Sequence, residues 1–255
     1  MRNIIFVLFL CLGVMVQAQD DMVEVENIIT DRPDQTESSA TVGNNAFQIE
    51  TGPVLNVYDA YNNQLDLISL FRYGLGDNFE FRLVSGIGRT HSTFTTVEGV
   101  QNLNYTEIAN LELGLKYRFV NTSSLMLCYL GHIVLPSGTF SNGFGEKIGI
   151  VNILGIETNL TDRMSIGSNL GYTYFGEGKG DATYTLALGS GLTDKIGFYA
   201  EIYGRLIEFE EVTTDFDAGF TYLVKPNLQF DFSFGTGITA PSNYYSMGVS
   251  WRLPQ

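Results

Sequence analysis

Apolar residues recur at every second position through most of this chain. From Phe79 to Gly88, Phe79, Phe81, Leu83 and Ile87 share one face while Glu80, Arg82, Gly86 and Gly88 share the other, the two-residue period of a β-strand. Between Ala109 and Phe119 the sorting is complete, with Leu111, Leu113, Leu115 and Tyr117 opposed by Asn110, Glu112, Gly114, Lys116 and Arg118. Met164 to Tyr174, Leu228 to Gly237 and Tyr245 to Leu253 repeat the pattern, and no charge enters the apolar face of these segments.

Extending the pattern predicts twelve strands: Ala46–Tyr58, Gln64–Tyr73, Phe79–Gly88, Glu107–Phe119, Leu125–Leu135, Lys147–Leu160, Arg163–Phe175, Ala182–Leu192, Ile196–Ile207, Phe216–Val224, Leu228–Thr239 and Tyr244–Leu253. The links after every even-numbered strand are tight, as in Thr161-Asp162 and Lys225-Pro226-Asn227. Most links after odd-numbered strands read longer and richer in Gly, Ser, Asn and Glu. A water-soluble sandwich also alternates. Here the polar face is rich in Gly, Ser, Thr and Asn and aromatics gather at strand ends, which is the composition of a lumen and an interfacial girdle. The expected fold is all-β: an antiparallel transmembrane β-barrel of about twelve strands over residues 46–255, with short periplasmic turns and longer outer loops. Closure satisfies every backbone group in lipid.

Composition agrees. Of 255 residues only 16% are charged, against about 25% in soluble domains, and the mean hydropathy is +0.06. The formal charge of −14 repels polyanions, so nucleic acid is excluded as a partner. Residues 1–18 read as a signal peptide: basic Arg2, an apolar run from Ile4 to Val16, and cleavage after Ala18. This removes Cys11 and leaves Cys128 alone, so the mature chain has no internal disulfide framework, and with only His91 and His132 no zinc site of the cysteine-rich kind. No metal or other cofactor is expected.

Strand parity directs Glu50, Arg72, Glu80, Arg82, Glu112, Lys116, Arg118, Glu201, Arg205, Asp217 and Asp231 into the lumen. Two readings are open: a structural ion-pair network bracing the barrel, or an eyelet that selects solutes by size and charge. A barrel of this strand number is narrow. The polar segment 19–45 is either a periplasmic tail or an inward-folded plug, with Asp31, Arg32, Asp34 and Glu37 as the residues of a gate beside Pro33.

Other functions fit less well. An outer-membrane serine hydrolase places a serine two residues after its histidine; here Val134 follows His132. Gly86, Gly88, Gly235 and Gly237 lack the following helix and lysine of a phosphate loop. No catalytic residue is assigned. A structural or adhesive closed barrel is the alternative, with the stretch Thr90–Thr106 as an outer loop.

Thr30-Asp31-Arg32-Pro33-Asp34-Gln35-Thr36-Glu37-Ser38 and the following Gln48-Ile49-Glu50-Thr51-Gly52 resemble the opening of the outer-membrane transporter family labelled the meta-pathway phenol-degradation family. Leu70 to Leu75, Glu80 to Leu83, Leu135 to Gly138 and the run from Tyr222 to Pro241 extend the resemblance. It implies a channel in the cell outer membrane that passes small solutes, aromatic or hydrophobic compounds among them, by passive diffusion. Its partners would be outer-membrane lipid, the solute and, during biogenesis, the barrel-assembly machinery. The chain departs from the terminal aromatic that this machinery reads, ending Trp251-Arg252-Leu253-Pro254-Gln255.

Overall fold

The computed structural model describes residues 26–96, 99–139 and 147–253; the expected leader and the last two residues lie outside them. Within these residues the chain forms a single antiparallel sheet. Its strands are β1 (Phe47–Val57), β2 (Asn62–Gly76), β3 (Phe79–Thr96), β4 (Gly99–Ile108), β5 (Glu112–Asn121), β6 (Leu125–Val134), β7 (Gly149–Thr161), β8 (Met164–Tyr174), β9 (Asp181–Gly191), β10 (Ile196–Ile207), β11 (Glu211–Lys225), β12 (Leu228–Gly237) and β13 (Asn243–Arg252). Neighbours in sequence pair in register around the ring, and β1 closes it by pairing with both β2 and β13, as in Gln48↔Arg72 and Gln48↔Arg252. The barrel therefore has twelve strands, and β4 is an additional one that pairs with β3 alone.

The two faces are inverted relative to a soluble sandwich. On β12 the aromatic residues Phe230, Phe232 and Phe234 stand 41–49% exposed, while Asp231 and Ser233 between them are 6% and 0% exposed. Arg72, Glu80, Arg82, Lys116 and Glu201 are all buried to within 1%. Apolar side chains facing out and charged ones facing in is the arrangement that lipid requires.

Two expectations are corrected. The stretch Thr90–Thr106 is no loop but the outer half of a hairpin, since His91↔Asn104 and Thr93↔Asn102 continue the β3–β4 ladder. The expected strand Glu107–Phe119 is interrupted at residues 109–111. Below the break β5 pairs with β3 through Val84↔Glu112, and above it β4 pairs with β3 from Ile87↔Ile108. Leu111 N–H is taken up by Ser137 Oγ at 2.9 Å and Gly138 N–H by Asn110 Oδ1 at 2.8 Å, so the loop after β6 patches the break. The turns at one end are tight as expected, including 77–78, 162–163 and 226–227. At the other end the links after β3 and β10 are also short, because β3 runs further and β11 begins earlier than the sequence pattern indicates.

Candidate functional site

Residues 26–45 form no strand or helix, and a segment of this kind can be buried only if its backbone groups find other partners. Here the inward side chains of the barrel supply them. The N–H groups of Asp31 and Arg32 donate to Glu50 Oε2 at 2.9 and 3.0 Å, that of Gln35 to Glu201 at 2.7 Å, that of Glu37 to Asn169 at 2.7 Å and that of Val42 to Glu80 at 3.0 Å. The carbonyls of Ile29, Ser38 and Ala40 accept from Gln48, Lys116 and Arg72 at 2.8–3.0 Å. Thr36 Oγ1 sits between Thr185 Oγ1, at 2.6 Å, and the Glu201 carboxylate. The segment thus spans the lumen and touches strands on every side of it.

At its centre Asp31 meets three cations: Arg82 at 2.5 Å, Lys116 at 3.0 Å and Arg72 at 3.3 Å. Arg72 also pairs with Glu50 at 2.8 Å and Glu80 at 2.9 Å, and Arg82 with Glu80 at 2.9 Å and Glu37 at 2.8 Å. Burial pushes the Asp31 carboxyl up, but Arg72, Lys116 and Arg82 together hold it well below the usual carboxylate range. Each of these charges is desolvated, and each is compensated only while its partners stay in place. A second anchor joins Arg32 to Asp231 at 3.1 Å, with Ser246 Oγ at 2.8 Å and the Met247 carbonyl at 3.2 Å. Gly248 makes room for it, since a Cβ there would lie 2.5 Å from Arg32 Nε.

Of the predicted lumen residues, Glu50, Arg72, Glu80, Arg82 and Lys116 therefore gather around Asp31 and Glu37, and Asp231 around Arg32. Glu201 holds the backbone at Gln35 and faces Asp217 across the β10–β11 register. Three sit elsewhere. Glu112 pairs with His132 Nδ1 at 2.8 Å, nearer the outer end. Arg205 is half exposed and pairs with Asp181 at the outer rim. Arg118, next to the register shift between Arg118 and Val120, lies at the rim and binds Asn78 Oδ1 at 3.0 Å and the Asp77 carbonyl at 2.8 Å. The residues missed from sequence are Gln48, Asn169, Thr185 and Ser246, uncharged members of the same inward faces, and Glu157, which takes the Ser39 N–H at 3.4 Å.

The segment separates two chambers. On the side of the tight turns a space of about 630 Å³ is roofed by Arg32, Pro33, Asp34 and Tyr199. On the other side a smaller one of about 250 Å³ has apolar walls of Ile68, Ala109, Val134 and Phe175, edged by Gln64, Asp66, Asn110 and Glu112.

Residues 30–253, nearly all of the described chain, match the family described as "Putative MetA-pathway of phenol degradation". The chain belongs to this family. Among solved structures it is similar to an outer-membrane channel from Pseudomonas putida F1, at 10% identity and a TM-score of 0.63 over 85% of this chain and 98% of that one. It is also similar to the KdgM porin solved in complex with disordered oligogalacturonate, at 11% identity and a TM-score of 0.58 over 81% of this chain and 99% of that one. The NanC porin aligns at 9% identity with a TM-score of 0.57, covering 80% and 100%. No curated protein matches the sequence. The fold of this family member is that of outer-membrane channels, and the protein is an outer-membrane β-barrel.

Proposed function

We propose that the protein is a passive outer-membrane conduit for small solutes whose axial path is closed by residues 26–45. The observation that carries this reading is the pairing of Asp31 with Arg82, Lys116 and Arg72. The charges on the barrel wall pair with one another and also, through Asp31 and Glu37, with a piece of the same chain that lies outside the strands. The chamber walled by Ile68, Ala109, Val134 and Phe175 has the size and surface for one small, largely apolar molecule. This agrees with the family's label and with aromatic or hydrophobic cargo. Catalysis is not part of the reading: His132 is oriented by Glu112, but its Nε2 has no hydrogen-bond partner, and the nearby Ser137 hydroxyl accepts from the Leu111 backbone.

Single-channel recording of the mature chain beside a chain lacking residues 20–45 tests the proposal. The full chain is expected to give small conductance steps, and the shortened one steps several times larger. Equal conductance in two folded proteins overturns the gate, and silence in both overturns the conduit in favour of a structural barrel.

A further inference from the structure

The wall around the inner chamber holds carboxyl groups that no cation among the described residues pairs with. Glu201 and Asp217 lie directly opposite each other on β10 and β11 and are 1% and 0% exposed. Asp34 approaches them from the lumen segment. Burial, and then the Glu201 carboxylate, push the Asp34 carboxyl well above its usual range. Among the described residues no ion pair reaches Asp34, Glu201 or Asp217, because Arg72, Arg82 and Lys116 are engaged around Asp31 and Arg32 is engaged by Asp231. The groups acting most strongly on these three acids are other carboxylates, hydroxyls and backbone N–H groups.

Polar atoms beside them are also unfilled. Tyr199 is 6% exposed, its hydroxyl has no hydrogen-bond partner, and it stands within electrostatic reach of Asp34 and Asp217. Asp217 Oδ1 and Ser233 Oγ are buried without partners as well, although Tyr244 donates to the other Asp217 oxygen at 2.5 Å. Buried acceptors left empty are costly, by about 1–3 kcal/mol each. Both tyrosine rings lie against glycines: a Cβ at Gly219 would come within 2.5 Å of Tyr199 Cε1, and one at Gly235 within 2.6 Å of Tyr244 Cδ1. The glycines let the rings lie close against the wall beside the acids.

We propose that Asp34, Glu201 and Asp217, with Tyr199 and Tyr244, form a binding site for a primary ammonium group carried by a small organic solute. An ammonium supplies the missing positive charge and three N–H donors for the empty acceptors, and aromatic faces attract it further. Asp34 and Tyr199 both line the 630 Å³ chamber, which gives the hydrocarbon portion room, and Glu201 and Asp217 lie buried behind that lining. The inference deepens the conduit reading by naming a solute class, yet binding at this site does not require conduction.

The test is isothermal titration of the folded mature chain in zwitterionic detergent with n-butylammonium chloride, beside n-butanol and potassium chloride. Saturable heat with the amine alone is expected. Glu201→Gln and Asp217→Asn should each weaken it about tenfold, as the loss of one charge-assisted hydrogen bond implies, with folding checked by heat-modifiable migration. Asp34→Asn, which alters only the lumen segment, and Tyr199→Phe keep the comparison available if a wall variant does not fold, and each should weaken binding severalfold. Absence of saturable heat, equal heats from butanol or potassium, or unchanged binding in the folded variants overturns the site. Binding in a protein silent in bilayers overturns the conduit and leaves the site standing; conduction without binding does the reverse.

Discussion

Three cations and the Ser38 N–H converge on the single carboxylate of Asp31. Asp31→Asn removes the charge but not the shape, and the uncompensated cations that remain are worth about 3–5 kcal/mol of lost stability. That loss should fall on the lumen segment and not on the barrel, whose ladders are untouched. Conductance is expected to rise while strand-rich circular dichroism is unchanged. The same carboxyl sets a pH dependence. Its folded value is depressed, so its contribution is complete above about pH 4, the ordinary carboxylate value, and is lost as pH falls toward the folded value. Asp34 works in the other direction: its folded value is raised, so its contribution is present below about pH 4 and declines as pH climbs through the raised value. Conductance recorded between pH 7 and pH 3 should increase at the acid end, and Asp31→Asn should remove that increase. Asp31, Arg32 and Glu37 are legible in sequence as charges in a proline-bearing segment next to a barrel. Asn169 and Thr185 are not, because alternation says which way a strand residue faces and not what crosses the lumen to meet it. For Arg118 and Arg205 parity is also too little, since height along the strand decides whether a side chain reaches the centre or the rim.

The lumen segment and β6 meet at one further point that offers a handle. The Cys128 thiol is buried, 4.0 Å from the Ser38 carbonyl, and the Ser39 hydroxyl lies against it. Ser39→Cys in the mature chain therefore places a second thiol beside the first. Oxidation is expected to form a disulfide that fixes the segment to the wall, and in an Asp31→Asn background conductance should stay small until reductant is added. A failure of reductant to raise it would mean that the segment does not move. At this scale the strands inside the lipid were readable and those beyond it were not. Along β12 lipid on one side and packed polar atoms on the other enforce strict alternation. The outer half of the β3–β4 hairpin is exposed on both sides, with Phe94, Val100 and Leu103 scattered among Thr, Asn and Gln, so the period that marks a strand is lost although the ladder continues. The break at 109–111 leaves no mark in the sequence for the opposite reason, since alternation runs through it.

For the molecule as a whole, the inverted pattern of faces is enough to specify a closed barrel, because no other β architecture tolerates apolar residues outside and charges inside. Whether residues 26–45 hang free or enter the barrel depends on complementarity between distant parts of the chain, which no local pattern records. The resulting division into two chambers predicts that solute access and segment release are separable. Val134→Trp fills the apolar chamber without touching the lumen segment. Swelling of liposomes bearing this variant should slow for small aromatic solutes while ionic conductance follows the wild type; equal slowing of both would show that the chamber is not a distinct station on the route.

The bonds that hold the lumen segment also dictate an order of assembly. Arg32 needs Asp231, Ser246 and Met247, up to 215 residues further along the chain, while Asp31 needs β2, β3 and β5. A stretch that is synthesised before any of the strands therefore has nowhere to settle until the final strand has joined the first. A seated segment is in this sense a certificate of closure: a barrel arrested one hairpin short would keep its N-terminal stretch in the periplasm, within reach of proteases, and a completed one would withdraw it.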